Sequence, residues 1–303
     1  MNHIKRRIAF AIVFTALYLL LFYGLVGWKP DHLVLLLIIL GFTLIHDYTF
    51  RVVLALSGFI GFIILYDAMT FMPNYSVNDV HIKDLYDLEV QLFGVYDNGL
   101  KVSLCEWFEP RMTDFQSFIY GFSYLLWVPG PMIFALFLML RDKDGVLEWA
   151  FIYLLTNVLG IIVYYLFPAA PPWYFLEYGN VLDTNIMGSE AYLSEFDRIT
   201  GTTIFNSIYA KGGNVFGAIP SLHSAYPLIG LLIARRRQHK SFMIFFIFMA
   251  IGTWIGAIYS WHHYLIDVLL GILCAYLAYL IASKFYESIY FRKFKKHFDS
   301  FLY

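Results

Sequence analysis

The chain has 303 residues, of which 60% are hydrophobic and only 14% are charged, and its mean hydropathy is +0.65. Because soluble domains carry about 25% charged residues, this composition indicates a polytopic membrane protein and excludes an ordinary soluble enzyme. The net charge of −1 gives no indication of a nucleic-acid partner, and the two cysteines, Cys105 and Cys274, predict no disulfide framework.

Eight apolar segments are long enough, or nearly so, to cross a hydrocarbon core about 30 Å thick. Backbone polar groups in lipid must be satisfied within the segment, and no alternating strand pattern is visible, so we predict eight helices. The predicted spans are 8–26, 32–46, 51–72, 115–140, 146–167, 221–238, 241–259 and 264–284. The first follows Lys5-Arg6-Arg7 and lacks a small-residue cleavage site, so we expect a retained anchor. The predicted fold class is an all-α polytopic transmembrane bundle.

The distribution of Lys and Arg predicts the orientation of these helices. If the N-terminus is cytoplasmic, 15 of the 21 Lys and Arg residues fall in cytoplasmic segments and six fall outside. Both termini are then cytoplasmic, and two long loops, 73–114 and 168–220, lie on the opposite face. We expect that face to be periplasmic in a bacterium or Golgi-lumenal in a eukaryote.

The same pattern predicts three parts of the chain. Residues 1–50 hold two N-terminal transmembrane helices, and residues 51–285 hold a six-helix core with both long loops. Residues 286–303 form a basic, aromatic cytoplasmic tail that we expect to lie on the lipid surface. Loops of this length in a compact bundle are usually functional or disordered, and their aromatic content argues against disorder.

Two motifs carry the chemistry. Pro220-Ser221-Leu222-His223 begins one apolar run, and His262-His263-Tyr264-Leu265-Ile266-Asp267 begins another. His263 and Asp267 are four residues apart and share a helix face, so the carboxylate can accept from one ring nitrogen and leave the other free as base or nucleophile. His223 can give or take a proton in the same pocket, and the start of its helix can bind phosphate.

A purely structural interpretation of these motifs is a proline at a helix boundary and histidines at the lipid–water interface. Asp267 argues against it, because an acid one turn inside a membrane helix is costly and usually faces a polar cavity. The two motifs together therefore predict phosphoryl transfer at a membrane surface.

The motifs resemble Pro-Ser-x-His and His-x-x-x-Asp, two signatures of the type-2 phosphatidic acid phosphatase superfamily. Further strings are similar to its inositol phosphorylceramide synthase branch, and the similarity covers roughly residues 100–285. The strings are Tyr124-Leu125-Leu126-Trp127-Val128-Pro129, Phe167-Pro168 with Pro171-Pro172-Trp173-Tyr174, Asp197-Arg198, and Phe216-Gly217-Ala218-Ile219 before the first motif.

The resemblance implies catalytic roles for His263, Asp267 and His223. His263 would attack phosphorus and form a phosphohistidine, while Asp267 fixes its tautomer. His223 would protonate the departing diacylglycerol and then act as base for a second alcohol. The resemblance further implies phosphatidylinositol as donor and ceramide as acceptor, with no metal or other cofactor.

Candidate substrate-binding residues are drawn from the motifs and from the long loop after the fifth span. They are Ser221, His262, Trp173, Tyr174, Arg198 and Lys211.

One departure from the phosphatase pattern is informative. Positions that are Lys or Arg in the phosphatases are Gly160, Phe167 and Ala257 here. A phosphomonoester carries nearly two negative charges and favours such cations, whereas a phosphodiester carries one. The substitutions therefore favour transfer from a diester, although Arg198 or Lys211 could replace the missing charge.

Several alternatives stay open from sequence alone. Within the same chemistry they are a lipid phosphate phosphatase and a sphingolipid synthase with another head-group donor. Outside it they are a transporter or lipid-binding scaffold, and a metal site made of His223, His262, His263 and Asp267. Asn74-Tyr75-Ser76 also fits a glycosylation acceptor, and the sequence does not say whether an accessory subunit is needed.

Overall fold

The structure is a computed structural model that describes residues 3–210 and 214–302, and over these residues it is mainly helical. The α-helices in chain order are α1 (His3–Leu21), α2 (Pro30–Ile45), α3 (Asp47–Ala55), α4 (Ser57–Ala68), α5 (Lys83–Phe93), α6 (Leu104–Phe108), α7 (Asp114–Leu125), α8 (Pro129–Arg141), α9 (Val146–Leu166), α10 (Pro172–Tyr178), α11 (Ser194–Thr200), α12 (Ile204–Tyr209), α13 (Leu222–Arg236), α14 (Lys240–Tyr259), α15 (Leu265–Tyr286) and α16 (Ile289–Leu302). In the described part of the chain, the two named strands are β1 (Val95–Asp97) and β2 (Leu100–Val102), which pair antiparallel. The predicted all-α class is confirmed.

Each of the eight predicted apolar segments is helical. Among the described residues, four segments are long and apolar enough to span a membrane alone: His3–Val26, Lys143–Leu166, Lys240–Tyr259 and Leu265–Tyr286. Two more become spans if each bent pair counts as one, with α3 and α4 bent by 58° and α7 and α8 by 47°. The chain is therefore an integral membrane protein.

The predicted total of about eight also includes α2 and α13, which have 16 and 15 residues. A 15-residue helix rises only about 22 Å, which is less than the hydrocarbon thickness. These two helices are the reason that length and composition give four to six spans rather than eight.

The helices group into two compact units. The first contains the chain up to Met72, Met132–Leu155 and the chain from Leu280 onward. Its apolar core includes Tyr18, Phe22 and Leu36, and the buried His32 imidazole contacts the Asp67 carboxylate. This polar pair joins α2 to α4 within an otherwise apolar bundle.

The second unit contains Pro73–Pro131 and Thr156–Tyr279, and both sequence motifs lie in it. Its two long loops are built from short elements: α5, the β1–β2 hairpin and α6 in the first, and α10, α11 and α12 in the second. The boundaries 1–50, 51–285 and 286–303 stay a prediction.

Backbone hydrogen bonds join three segments of the second unit just before the first motif. His81 N–H donates to Pro168 O, and Ala170 N–H donates to His81 O, both at 2.9 Å. Ala169 N–H then donates to Phe216 O at 2.9 Å, so the two loops and the approach to Pro220 are held side by side.

The helices that carry the motifs approach each other closely at one glycine. A Cβ built on Gly271 of α15 would lie 2.1 Å from the backbone oxygen of Ser221, where no real side chain fits. Ser221 N–H also donates to Asp267 O at 3.0 Å. The start of α13 is therefore in direct backbone contact with the first turns of α15.

Candidate active site

Ser221 is the N-cap of α13 and places His223 in the first turn. Its Oγ accepts from the Ser224 N–H at 3.3 Å, which is the usual role of serine at a helix start. The Ser221 side chain is fully buried, and Ser224 Oγ donates to its Oγ at 3.0 Å. The predicted phosphate-binding serine thus organises the helix start, where the first-turn amides carry partial positive charge.

The turn between α14 and α15 places His263. The backbone N–H groups of His262 and His263 both donate to Ala257 O at 3.0 Å, and Trp261 adopts a left-handed conformation with φ of +64°. Below this turn, the Cys105 thiol donates to His263 O at 3.6 Å. The histidine backbone is therefore fixed by α14 on one side and by α6 on the other.

The structure brings the three predicted catalytic residues together. His223 Nδ1 lies 3.3 Å from His263 Nε2, and His263 Nδ1 lies 3.4 Å from Asp267 Oδ2. The second distance is longer than a full hydrogen bond, and Asp267 Oδ2 accepts from Tyr264 N–H at 2.9 Å instead. A proton on His263 Nδ1 would face the carboxylate and leave the Nε2 lone pair directed towards His223.

Burial keeps the two loop histidines uncharged. Desolvation lowers the pKa of His263 to about 4. Desolvation also lowers the pKa of His262 to about 3; the hydrogen bond with the Glu190 carbonyl opposes this shift, and the nearby His263 imidazole adds to it. A neutral imidazole has the free lone pair that a nucleophile requires. At neutral pH His263 is therefore in the protonation state needed to attack phosphorus.

His262 contacts the second loop rather than the His223–His263 pair. Its Nε2 lies 3.0 Å from Glu190 O, and its ring stacks on Tyr209 at a centroid distance of 4.7 Å. Because this ring nitrogen already has a backbone partner, substrate binding by His262 stays a prediction.

Sequence reasoning assigned no role to Tyr124 and Trp127, which contact His223. Tyr124 Oη lies 3.0 Å from His223 Nδ1, and the Trp127 ring meets the imidazole edge-on at 5.1 Å. Tyr124 is on α7, and Trp127 is in the break before α8. The string Tyr124 to Pro129 was visible as a resemblance, but only the bend explains why its aromatic residues reach the site.

Glu89 is the other residue that the sequence did not reveal. It lies on α5, is fully buried, and accepts from the Leu265 and Ile266 amides at 3.0 and 3.1 Å. Nothing in its local sequence distinguishes it from the other acids of the first loop.

The remaining predicted substrate residues lie in other settings. Trp173 and Tyr174 are buried in a cluster with Ile82 and Phe216, and the Tyr174 hydroxyl donates within the loop to backbone oxygens of Val181 and Asp183. Arg198 is half-exposed and forms ion pairs with Asp114 at 2.5 Å and Glu195 at 2.7 Å. Its charge is thus matched by two carboxylates. Lys211 lies outside the described residues.

The three apolar positions of the phosphatase pattern have packing reasons. A Cβ on Gly160 would lie 2.6 Å from Leu222 Cδ2, so a lysine there would displace the Leu222 side chain. Phe167 stacks flat on His81 at 3.7 Å, and Ala257 is fully buried in an apolar cluster with Tyr124 and Ile258. A cation at any of these positions would disturb apolar packing.

Two sequence alternatives lose support in the geometry. Within residues 3–210 and 214–302, no group of three or more His, Cys, Asp or Glu side chains is arranged to hold a metal ion. Asn74 is fully buried, and its amide nitrogen donates to Tyr164 O and Phe216 O at 2.8 Å each. It is therefore not accessible for glycosylation in the folded protein.

Fold and site together define a class: a helical membrane protein with two imidazoles and a buried carboxylate aligned at the starts of two helices. Comparison with known proteins gives the family, because the profile of the PAP2 superfamily matches residues 83–281. The chain belongs to this superfamily, and the predicted resemblance is confirmed.

Relatives within the family share varying lengths with this chain. It is 41% identical over 298 residues to the phosphoinositol dihydroceramide synthase of Bacteroides thetaiotaomicron, covering 97% of both chains. It is 29% identical over 169 residues to the inositol phosphorylceramide synthase catalytic subunit aur1 of Schizosaccharomyces pombe, covering 53% of this chain and 40% of that protein. For AUR1 of Saccharomyces cerevisiae the values are 30% over 124 residues, 41% and 31%. No solved structure matches.

Proposed function

We propose that this protein transfers phosphoinositol from phosphatidylinositol to ceramide or dihydroceramide through a phosphohistidine at His263. The observation that carries the proposal is the alignment Asp267–His263–His223, with successive atoms 3.4 and 3.3 Å apart. The donor and acceptor are supported by the 41% identity, over nearly the full length, to a phosphoinositol dihydroceramide synthase.

In the first proposed step, the Nε2 lone pair of His263 attacks phosphorus. The bond from phosphorus to the diacylglycerol oxygen breaks, and a protonated His223 gives its proton to that oxygen. Asp267 stabilises the positive charge that develops on the His263 ring. Because two imidazoles 3.3 Å apart resist double protonation, the proposed step requires a single proton on His223 together with a neutral His263.

In the second step, the acceptor alcohol gives its proton to His223, which is now neutral. Its oxygen attacks phosphorus, the bond from phosphorus to His263 breaks, and both histidines return to their initial states. One histidine thus works as nucleophile and the other alternates as acid and base.

The charge of the site supports a diester substrate. The cationic positions of the phosphatases are Gly160, Phe167 and Ala257, and Arg198 is engaged by two carboxylates. The remaining positive potential comes from the first turn of α13, with one further charge when His223 carries the proton that the first step requires, which suits the single charge of a phosphodiester.

Charge distribution supports the orientation proposed with this function. Both termini are cytoplasmic and the site faces the periplasm of a bacterium or the Golgi lumen of a eukaryote, in a six-helix core spanning residues 51–285. Both lipids then enter sideways from the outer leaflet.

The test is turnover by the purified protein in lipid nanodiscs that contain phosphatidylinositol and ceramide. We expect equal amounts of inositol phosphorylceramide and diacylglycerol. His263→Ala, His223→Ala and Asp267→Ala should each lower kcat at least about 100-fold, as removal of a nucleophile or an acid–base group does. His297→Ala, on helix α16 of the first compact unit, is the matched control and should retain the parent rate.

The rival function, a lipid phosphate phosphatase, gives the opposite product pattern. Release of inorganic phosphate from phosphatidic acid, with no new sphingolipid from phosphatidylinositol and ceramide, would overturn the proposal. A new sphingolipid formed from phosphatidylethanolamine or phosphatidylcholine, and not from phosphatidylinositol, would overturn only the assignment of the donor.

A further inference from the structure

The start of α15 is capped by a side chain from a distant part of the chain. Glu89 Oε1 accepts from the Leu265 N–H at 3.0 Å, and Oε2 accepts from the Ile266 N–H at 3.1 Å. The two partners are 176 and 177 residues away, and the Glu89 side chain is fully buried. One carboxylate therefore binds the first two amides of the helix that carries Asp267.

The helix has no cap of its own for these amides. The first turn of an α-helix leaves its N–H groups without intrahelical partners, and a short polar residue at the N-cap normally accepts one of them. Here the preceding residue is Tyr264, whose side chain cannot reach back in this way. Asp267 accepts the Tyr264 N–H, which leaves the Leu265 and Ile266 amides to Glu89.

The groups around Glu89 are acidic or neutral. Asp267 is on α15, the Cys105 thiol is on α6, and the Tyr264 hydroxyl belongs to the turn before α15. No lysine or arginine of the described residues forms an ion pair with Glu89. Burial raises the pKa of Glu89, the two amide hydrogen bonds oppose this shift, and the nearby Asp267 charge adds a smaller increase. The net pKa is about 7.

We propose that Glu89 is a positioning residue: its carboxylate holds the first turn of α15 and so keeps Asp267 behind His263. The ionised carboxylate accepts from both amides. A protonated carboxyl has one oxygen that carries hydrogen, and that oxygen would face an N–H donor. Loss of one bond loosens the turn to which both Asp267 and His263 are attached. This inference rests on the proposed function, because it treats these two residues as catalytic.

Glu89→Gln tests the inference, since glutamine copies the protonated acid with one acceptor and one donor. In nanodiscs, kcat of the variant should fall about tenfold at pH 8.5, and KM for both lipids should stay within twofold because Glu89 lies behind the site. At pH 5.5, where Glu89 of the parent is protonated, the two proteins should have similar kcat. Because both proteins contain the same histidines, the ratio of the two kcat values at each pH reports only on the titration of Glu89.

The matched control is Asp197→Asn. Asp197 is also buried and also accepts from two backbone amides, those of Ile204 and Asn206 at 3.0 Å each, but it caps α12. Its variant should keep kcat within about threefold at both pH values. A kcat ratio for Glu89→Gln that is independent of pH, or a loss no larger than that of the control, would overturn the inference.

Hydrogen exchange gives a readout that needs no substrate. At pH 8, the amides of a peptide covering residues 262–268 should exchange faster in Glu89→Gln than in the parent. In Asp197→Asn they should exchange at the parent rate. Unaltered exchange in Glu89→Gln would refute the capping role even if activity falls. If the parent protein makes no inositol phosphorylceramide, only the proposed function is contradicted, because hydrogen exchange still tests the capping role of Glu89. If Glu89→Gln does not fold, Glu89→Asp, which shortens the side chain by one methylene, takes its place with the same expected exchange.

Discussion

Tyr124 and His263 share one nitrogen of His223. Tyr124 Oη lies 3.0 Å from His223 Nδ1, and His263 Nε2 lies 3.3 Å from the same atom. A hydroxyl is both donor and acceptor, so it can satisfy this nitrogen whether or not His223 holds a proton there. Tyr124 can therefore stabilise both protonation states that the proposed reaction requires of His223.

We expect Tyr124→Phe to lower kcat about tenfold with little change in KM, because a hydrogen bond of this kind contributes about 1 kcal/mol. Steady-state turnover over a range of lipid mole fractions separates the two constants. Tyr120→Phe, one turn earlier on α7, is the control and should change neither. Equal effects of the two variants would show that only ring packing matters.

Glu89 also affects how folding stability depends on pH. Its pKa in the folded protein, about 7, is raised above the ordinary value of 4.5, so folding favours the protonated form. Protonation of Glu89 therefore adds to the free energy of unfolding. This contribution is fully present below about pH 4.5 and is lost as the pH rises through 7. The protein is therefore less stable above pH 7, where the ionised carboxylate accepts from both amides as proposed above.

Thermal unfolding measures this linkage. The Tm of the parent minus that of Glu89→Gln should decrease between pH 5 and pH 8. A difference that stays constant, or grows with pH, would show that the carboxyl has no raised pKa in the folded protein.

The sequence revealed the residues whose chemistry and spacing are local. His263 and Asp267 stand one helical turn apart, and Ser221 and His223 belong to one motif. Tyr124 and Glu89 could not be found in this way, because their contacts bridge 99 and 176 residues. The burial of Trp173 and Tyr174 was equally invisible, since it depends on how the long loop folds on itself.

At the scale of elements, the close approach of α15 to the Pro220–His223 motif determines how far apart the proposed catalytic residues lie. Gly271 permits this approach, since its Cβ position is 2.1 Å from Ser221 O. Because that neighbour is backbone and cannot rotate away, any side chain at position 271 must separate α13 from α15.

We predict that Gly271→Ala destabilises the protein by about 1–3 kcal/mol, as overpacking does, and lowers kcat at least tenfold. Gly41→Ala on α2 is the control, because nothing lies within 4 Å of its Cβ position and alanine favours helix. Unfolding in detergent and turnover in nanodiscs should both distinguish the two. A fully active Gly271→Ala would contradict the backbone contact.

The helices themselves were predictable because apolar runs dominate their sequence, while their interruptions were harder to see. The bend between α7 and α8 precedes Pro129, and the β1–β2 hairpin turns at Asn98-Gly99, where both residues have positive φ. Asn-Gly is a recognisable hairpin signal that the hydropathy of the chain as a whole conceals. Helix α13 is shorter than the predicted span 221–238 because Ser221 is its N-cap and Arg237 its C-cap.

At the scale of the whole molecule, the orientation across the membrane can be measured because both native cysteines, Cys105 and Cys274, are buried. We predict that Thr184→Cys, in the second loop, reacts with a membrane-impermeant maleimide added from the non-cytoplasmic side. Ser241→Cys, at the start of α14, should react only after permeabilisation. Both positions are exposed and both changes are small. The reverse labelling pattern would contradict the proposed orientation.

The hydrogen bond from Ser221 N–H to Asp267 O joins the two helices of the proposed site through main-chain atoms only. Substitution of a side chain at either position leaves these two atoms in place. The spacing of the two helix starts is therefore set by the polypeptide itself and does not require a particular side chain on the lipid-facing surfaces or in the loops.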